Sequence, residues 1–290
     1  MAGVADYFSL VRFSHSVFAL PFALCGAWLA AGGPPALRTL GLIVLCAVAA
    51  RTAAMAFNRV ADARLDARNP RTAQREIPAG RITAASALLL VAASAALFVA
   101  GAFALNALAG WLSFPVLVVL LGYSWMKRVH WSAHLVLGLA LGLAPLGAWI
   151  AVRGAIDPSV APVAWLALAV LTWVAGFDLI YACQDADFDQ RNRLHSIPAR
   201  FGVGRALALS AWLHAGTVAA LALVGWSAGL SWIWWGALAL AALLLVWEHR
   251  LVKPDDLSRV NTAFFTLNGW LGLALFAGLV LDRALLGGAP

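Results

Sequence analysis

The chain has 290 residues, of which 63% are hydrophobic and only 11% are charged. A soluble domain is nearer half apolar and a quarter charged, so a water-soluble globule, a disordered chain and a fibrous repeat are all excluded. Lipid is therefore the solvent for most of this chain. The net charge of +7 is compatible with nucleic-acid binding. In a membrane protein, however, a basic excess more often sets topology or contacts phosphorylated groups, so we expect no nucleic-acid partner.

Nine apolar runs are candidates for membrane-spanning helices, since a helix needs about 20 apolar residues to cross the hydrocarbon core. They lie at about 12–32, 38–60, 83–107, 109–125, 131–152, 160–183, 204–226, 230–248 and 262–285. Only an uncharged break at 106–110 separates the third run from the fourth. The sequence thus predicts an all-α, polytopic membrane protein of nine helices in a bundle, forming one domain over residues 1–290.

The distribution of positive charge supports nine spans rather than eight, because fusing the third and fourth spans would scatter the basic loops onto both sides of the membrane. With nine, the N-terminus lies on the same side as the loops after the second, fourth, sixth and eighth spans. That side holds 16 of the 20 lysines and arginines, whereas the opposite side holds three: Arg38, Arg153 and Arg283. By the positive-inside rule, we expect the N-terminus and the four basic loops to be cytoplasmic, in the cytoplasmic (inner) membrane.

Acidic residues are concentrated where two of the predicted spans end. Asn58, Asp62 and Asp66 follow an i, i+4, i+8 spacing at the end of the second span, which places them on one helix face. The sixth span ends in a second stripe at i, i+3, i+7 and i+11, provided that the helix continues that far. This stripe consists of Asp178, Tyr181, Asp185 and Asp189. Asp187 points about 200° away from Asp185 on an ideal helix and is interpreted as a solvated charge.

Four carboxylates at one face of a bundle repel each other unless cations bind them. Oxygen ligands favour Mg²⁺, Ca²⁺ or Mn²⁺, and Mg²⁺ typically uses one or two carboxylates together with substrate phosphates. Arginines follow both acidic stripes: Arg68, Arg71 and Arg75 after the first, Arg191, Arg193 and Arg200 after the second. Carboxylates, a metal and arginines together fit a diphosphate.

Other interpretations remain open at this stage. The acids and arginines could form plain surface ion pairs, which contribute little. A transporter or proton-coupled channel also uses intramembrane acids, but its charges are expected near the bilayer midplane. The two acidic stripes are 123 residues apart and each precedes a basic loop with a proline, Pro78 or Pro198. This suggests an internal pseudo-repeat of helices 1–4 and 5–8.

The acidic motifs also resemble those of a known family. The run 58–66 is similar to the N-x-x-x-D-x-x-x-D signature of the UbiA intramembrane prenyltransferases, and 178–189 is similar to their D-x-x-Y-A-x-x-D-x-x-x-D signature. Residues 123–128 resemble the family's Y-S-x-x-K-R segment, and Arg51 matches a further family position. The resemblance covers essentially the whole chain and implies nine helices around a central cavity. Segments 12–21 and 194–202 most resemble a 4-hydroxybenzoate polyprenyltransferase-like branch, although His15 stands where better-known members have lysine.

The resemblance implies an enzyme that transfers a polyprenyl group from polyprenyl diphosphate to an aromatic ring, with Mg²⁺, two ions being expected. The implied acceptor is a small aromatic carboxylic acid of the 4-hydroxybenzoate type, in quinone biosynthesis. The alternative acceptor is 1,4-dihydroxy-6-naphthoate, on the futalosine route to menaquinone; haem O or chlorophyll-type prenylation is a third option. The expected metal ligands are Asp62, Asp66, Asp185 and Asp189. The expected diphosphate ligands are Asn58, Arg71, Arg75, Lys127 and Arg200.

The acceptor side of the site is assigned by chemistry. Arg128, a planar bidentate donor, is the candidate for the acceptor's carboxylate, and Arg51 is the second residue predicted to bind the acceptor. Asp178 is predicted to orient the acceptor hydroxyl or take the ring proton, or alternatively to be a structural acid paired with Arg51. Tyr181 is predicted to shield the allylic cation with its ring, or to be an ordinary core tyrosine. Lys127 could instead be a topology lysine. The pair His130 and His134 is predicted to lie at the membrane interface rather than to bind metal.

Overall fold

The computed structural model describes residues 3–11 and 19–286, and these residues are organised almost entirely as helices. The short helix α1 is Val4–Leu10, and α2 is Leu20–Ala31. The helices that follow are α3 (Leu37–Asp66), α4 (Ala84–Leu105), α5 (Ala107–Val129), α6 (Ala133–Arg153), α7 (Ala161–Ala182), α8 (Ala186–Arg191), α9 (Ile197–Phe201), α10 (Val203–Ser227), α11 (Trp232–Leu251) and α12 (Asn268–Leu285). A π-helical turn, Thr262–Leu267, precedes α12.

In this part of the chain, eight helices are long and apolar enough to cross a membrane, and α2 is a shorter apolar helix. They correspond one to one with the nine predicted runs. The first run begins with residues 12–18, which include Arg12 and His15 and lie outside the described residues. The prediction of a polytopic all-α membrane protein is therefore confirmed, while a full-length first span is not established.

The uncharged break between α4 and α5 is real, and Asn106 produces it. This residue has an extended backbone, with φ of −166°, and its side-chain oxygen accepts the Ala109 amide at 2.8 Å. Such a cap satisfies an amide that has no partner at a helix start. The Asn106 side chain also donates to the Ile150 carbonyl of α6 at 2.9 Å. One asparagine thus ends α4, begins α5 and fastens the turn to α6.

The helix α7 lies at the centre of the bundle and is the most buried of the spans. Trp173 and Phe177 of α7 pack with ring centroids 5.0 Å apart, and Phe22 of α2 lies 5.0 Å from Trp173. The helix α6 packs against α7 at Gly138, where an added Cβ would lie 2.3 Å from the Leu171 carbonyl oxygen. Small residues let membrane helices approach closely. This contact brings the first turns of α6 beside the end of α7.

The second acidic stripe does not lie on one continuous α-helix. The helix α7 ends at Ala182, a 3₁₀ turn follows at Cys183–Asp185, and α8 then begins. The first stripe, in contrast, lies entirely on the 30-residue helix α3. The α-helix therefore does not continue through the second stripe, and the regular helical spacing does not apply beyond Ala182.

Candidate active site

A polar cavity of about 290 Å³ lies between α3, the loop 67–82, the end of α5, α6 and the α7–α8 junction. Both acidic stripes line this cavity, so the two motifs, which are far apart in the sequence, meet in one place. Twelve of the thirteen predicted site residues are in its wall: Arg51, Asn58, Asp62, Asp66, Arg71, Arg75, Lys127, Arg128, Asp178, Tyr181, Asp185 and Asp189.

Arg200 is the predicted diphosphate ligand that the structure does not bring to this cavity. It is exposed on α9, and its guanidinium lies 5.4 Å from the ring centroid of Phe201. Asp187 is exposed as well and does not line the cavity, in agreement with its interpretation as a solvated charge.

On the α3 side, each aspartate has a cationic partner. Asp62 accepts from Arg128 of α5 at 2.9 Å and from the amide of Asn58 at 3.0 Å. Asp66 is buried and accepts both of its bonds from one nitrogen of Arg75, at 2.8 and 2.9 Å. These contacts compensate carboxylates that would otherwise be costly to remove from water.

On the α7–α8 side, the partners come from distant parts of the chain. Arg71, in the loop after the first stripe, forms a two-pronged pair with Asp185, with Nε to Oδ1 at 2.9 Å and Nη2 to Oδ2. Lys127 of α5 lies 3.3 Å from the buried Asp189. Burial lowers the pKa of the Arg71 guanidinium, but its hydrogen bonds with Asp185 and the charge of that residue outweigh burial. The pKa of Arg71 is therefore raised, and it remains a cation.

Asn69 is a site residue that the sequence analysis missed. Its side chain donates to Asp185 at 3.1 Å, and its oxygen accepts the backbone amide of Arg71 at 3.0 Å. Asn69 therefore holds both members of the Arg71–Asp185 pair. Its position between the first acidic stripe and Arg71 is the only sequence signal that could have indicated this role.

Asp178 has a different partner from the one considered in the sequence analysis. Its Oδ2 lies 2.6 Å from Nδ1 of His134 on α6, so the structural pairing with Arg51 is not observed. His134 itself is fully buried. His134 therefore lies inside the helix bundle, enclosed by the close approach of α6 to α7, while its position at the membrane interface remains a prediction. His130, four residues earlier, is exposed and bonds Ser132, as expected at an interface.

A second cavity, of about 200 Å³ and almost wholly apolar, adjoins the polar one. It lies among α2, α3, α4, α5 and α6, and its wall includes Ala23, Cys46, Phe98, Leu112, Ala144 and Gly147. The two cavities share part of their wall: Arg51, Met55, Tyr123, Leu137 and Leu141. The two cavities therefore adjoin, one with charged walls and one with apolar walls.

Arg51 stands at the boundary between the two cavities. Within the part of the chain that the structure describes, its side chain forms no hydrogen bond or ion pair, and its Nε is buried without a partner. Arg128, by contrast, is bonded to Asp62 and to the Ala61 carbonyl, the latter at 2.7 Å. Arg51 is thus a cation available to an incoming anion.

The donor set of the polar cavity fits a hard divalent cation, since it consists of carboxylates and amides. Among the described residues, no three His, Cys, Asp or Glu side chains are close enough to enclose a metal ion by themselves. Mg²⁺ does not need such a cage, because it commonly binds through one or two carboxylates and takes the remaining oxygens from phosphates and water. The residues present therefore fit Mg²⁺ bound together with a phosphorylated ligand.

Fold and cavities together define a class: a polytopic helical membrane protein with a cavity of paired carboxylates and cations beside an apolar cavity. Comparison with known proteins then gives the family. The model of the UbiA prenyltransferase family matches residues 19–271, so the chain belongs to the UbiA prenyltransferase family. The predicted enzyme class, a prenyltransferase, is thereby confirmed over the transporter alternative.

Individual relatives agree with this assignment. A 4-hydroxybenzoate octaprenyltransferase from Cupriavidus necator is 34% identical over 283 residues, covering 96% of this chain and 97% of the relative. The apo structure of a UbiA homologue from Aeropyrum pernix K1 has 38% identity and a TM-score of 0.84, with 92% of this chain and 98% of that chain covered. A UbiA homologue from Archaeoglobus fulgidus, bound to DMAPP and Mg²⁺, has 19% identity and a TM-score of 0.72, covering 97% and 100% of the two chains. This last similarity establishes the fold alone.

Proposed function

We propose that this protein catalyses Mg²⁺-dependent transfer of a polyprenyl group from polyprenyl diphosphate to the ring of a small aromatic acid of the 4-hydroxybenzoate type. The observation that carries this proposal is the polar cavity, with four aspartates and their cationic partners, which shares part of its wall with an apolar one. The name of the Cupriavidus necator relative supports the acceptor, and the ligands of the Archaeoglobus fulgidus homologue support the donor class and the metal. The reaction belongs to quinone biosynthesis, in the bacterial cytoplasmic membrane with the N-terminus and the cavity mouth cytoplasmic.

The head of the donor lies between the two acidic stripes. Asp62, Asp66, Asp185 and Asp189 hold the Mg²⁺, for which we propose two ions. When bound, Mg²⁺ neutralises charge that develops on the departing pyrophosphate.

The cationic side chains of the polar cavity neutralise carboxylates in the free site and bind the diphosphate when the donor is present. In the structure, Arg71, Arg75 and Lys127 each contact one of the four carboxylates. A diphosphate offers stronger, multiply charged acceptors, so these side chains move from carboxylate to phosphate oxygens as the donor binds. Asn58 contributes a further polar contact. In the free site, three of the four carboxylates are thereby neutralised by these side chains, and the ion pairs open only for a ligand that replaces them.

The tail of the donor lies in the apolar cavity. Its wall consists mostly of alanine, leucine, valine and phenylalanine side chains, which remove the polyprenyl chain from water. Because water would quench an allylic cation to an alcohol, this dry wall protects the intermediate.

Of the two arginines predicted for the acceptor's carboxylate, Arg51 is the better placed. It is the unpaired one and lies next to the region where head and tail of the donor join. Arg128 is engaged by Asp62, so we assign it to holding that carboxylate and the diphosphate. The hydroxyl of Tyr181 accepts from Arg71 at 2.7 Å, which fixes its ring in the cavity wall, where its face can stabilise the allylic cation.

Asp178, which also lines the polar cavity, is proposed as the group that receives the ring proton. The step balances as an aromatic substitution. The C–O bond of the donor breaks with its electron pair leaving on pyrophosphate, and a ring carbon ortho to the hydroxyl forms the new C–C bond. Loss of the proton from that carbon to Asp178 restores the aromatic ring.

Purified protein in liposomes tests this proposal directly. It would be given geranyl diphosphate, Mg²⁺ and either 4-hydroxybenzoate or 1,4-dihydroxy-6-naphthoate, with products identified by mass spectrometry. We expect a C-prenylated 4-hydroxybenzoate. A product with the naphthoate alone would move the assignment to the alternative acceptor, and the absence of a prenylated product with both acceptors would contradict the proposed function.

A further inference from the structure

The hydrogen bond between Asp178 and His134 joins a cavity-lining carboxylate to a residue that the cavity does not reach. Asp178 lines the polar cavity, whereas His134 does not and is fully buried. Their contact, Nδ1 to Oδ2 at 2.6 Å, crosses from α6 to α7. Among the described residues, the second oxygen of Asp178, Oδ1, has no hydrogen-bond partner. One oxygen of Asp178 is thus anchored, and the other is available to a ligand.

The second ring nitrogen of His134 decides its protonation. In the described part of the protein, Nε2 is buried and has no hydrogen-bond partner. A proton on Nε2 would be an unpaired buried donor, whereas a neutral ring can place its only N–H on Nδ1, facing the carboxylate. His134 therefore donates to Asp178 and has no route by which to pass a proton onward. Its role is to position Asp178, not to relay its proton.

The backbone makes this bond rigid. His134 is in the first turn of α6, and Gly138, one turn further, lies against the Leu171 carbonyl of α7. The crossing of the two helices leaves His134 little room to move relative to Asp178. A carboxylate held by a fixed donor keeps a single orientation, which proton abstraction from a ring carbon requires.

We propose that His134 is a positioning residue for ring deprotonation: its Nδ1–H holds Oδ2 of Asp178 so that Oδ1 faces the prenylated ring carbon. In that step the C–H bond breaks, its electron pair returns to the ring, and the proton moves to Oδ1. The proton then leaves through the polar cavity, because the Nε2 side is closed. This inference rests on the proposed function and adds a residue and a division of roles to it.

The experiment is a kinetic isotope effect on prenylation. Wild type, His134→Leu and His134→Asn would be assayed with 4-hydroxybenzoate carrying deuterium at both ring carbons ortho to the hydroxyl. We expect His134→Leu to lower kcat by about 10- to 100-fold, less than the loss of the general base itself would cost, and to leave the KM for geranyl diphosphate unchanged. Because deprotonation becomes slower, its isotope effect should exceed that of wild type. Asparagine supplies an N–H near the position of Nδ1, so His134→Asn should recover most of kcat.

The isotope effect is a ratio of rates and does not depend on how much variant protein folds. An isotope effect in His134→Leu equal to that of wild type overturns the inference, as does a wild-type kcat in this variant. His130→Leu, a change at the exposed histidine one turn earlier, is the matched control and should resemble wild type in both quantities. If wild type itself forms no prenylated product, it is the proposed function that fails, and the two failures are thereby distinguished.

Discussion

The two adjoining cavities differ in how their walls are stabilised. In the polar cavity, Asp62, Asp66, Asp185 and Asp189 each contact a lysine or arginine from another segment of the chain. In the apolar cavity the wall is made of aliphatic and aromatic side chains, apart from a few polar groups such as Arg51 at the shared boundary. The wall of the polar cavity is therefore held by ion pairs, whose partners a charged ligand can replace. The wall of the apolar cavity is held by the packing of its side chains.

This difference separates two kinds of recognition. Charged groups can exchange partners when a ligand arrives, so the polar cavity responds to the charge of a head group. An apolar wall discriminates ligands by their size and shape, so the apolar cavity selects the prenyl chain of the donor by its volume. Substitutions in the first should change rate and metal dependence, and substitutions in the second should change which donor is accepted.

Removing the metal should have the largest effect of all. Dialysis of the purified protein against EDTA is expected to abolish prenylation, because the diphosphate leaving group loses its counter-charge. Adding back Mg²⁺ should restore the product, measured by mass spectrometry. Activity that persists after chelation would mean that the polar cavity works with arginines and lysine alone.

Loss of one carboxylate should come next. Asp185→Asn is expected to lower kcat by about 10²- to 10³-fold, the usual cost of one group that stabilises developing charge. Asp187→Asn, two residues away on an exposed face, is the matched control and should retain wild-type kcat. Equal losses in the two variants would contradict the assignment of the stripe, and an unaffected Asp185→Asn would do so more strongly.

Arg51→Leu should weaken acceptor binding rather than donor binding. Loss of a hydrogen bond to a charged group costs about 1.5–3 kcal/mol, so KM for 4-hydroxybenzoate should rise by about 10- to 100-fold. Arg128→Leu is the comparison variant, and steady-state kinetics with each substrate varied in turn measure both. We expect Arg128→Leu to lower kcat and to raise the KM for the prenyl diphosphate donor. The reverse pattern would return the acceptor carboxylate to Arg128.

The smallest change is expected from altering the apolar wall. Gly147 lines this cavity, and an added Cβ there meets open space, so Gly147→Leu reduces the volume without a clash. Relative to geranyl diphosphate, kcat/KM for an octaprenyl donor should fall about 5- to 10-fold, which corresponds to roughly 1–1.4 kcal/mol, the low end of the usual overpacking cost. Gly236→Leu, at an open position on α11 that does not line the cavity, is the control. Donor competition assays would show whether the preference shifts.

The sequence predicted the composition of the polar cavity well because its residues are repeated at helical spacing near the ends of two apolar runs. Asn58, Asp62 and Asp66 need only a regular helix to share a face, and α3 supplies it. The break at Asn106 was also predictable, since an asparagine within an uncharged gap is a strong helix cap. These features depend on local geometry, which periodicity reports.

The pairings could not be predicted, because they depend on the path of loops and on helix crossings. Arg71 follows the first acidic stripe in the chain but contacts Asp185 in the second, 114 residues away. The bond between His134 and Asp178 likewise requires the crossing of α6 and α7, which no sequence period encodes. Arg200 shows the converse error: it follows the second stripe at a plausible distance, yet α9 carries it to the exposed surface. The internal repeat remains a prediction.

The most direct test of the central claim is a structure of the protein with Mg²⁺ and a non-hydrolysable thiolo analogue of geranyl diphosphate. We predict that the diphosphate lies between the two acidic stripes, with Mg²⁺ about 2.0–2.1 Å from carboxylate oxygens of both, and with the geranyl chain in the apolar cavity. The Arg71–Asp185 and Arg75–Asp66 pairs should have opened toward the phosphates. A diphosphate bound outside the polar cavity, or a metal that contacts neither stripe, would contradict the account.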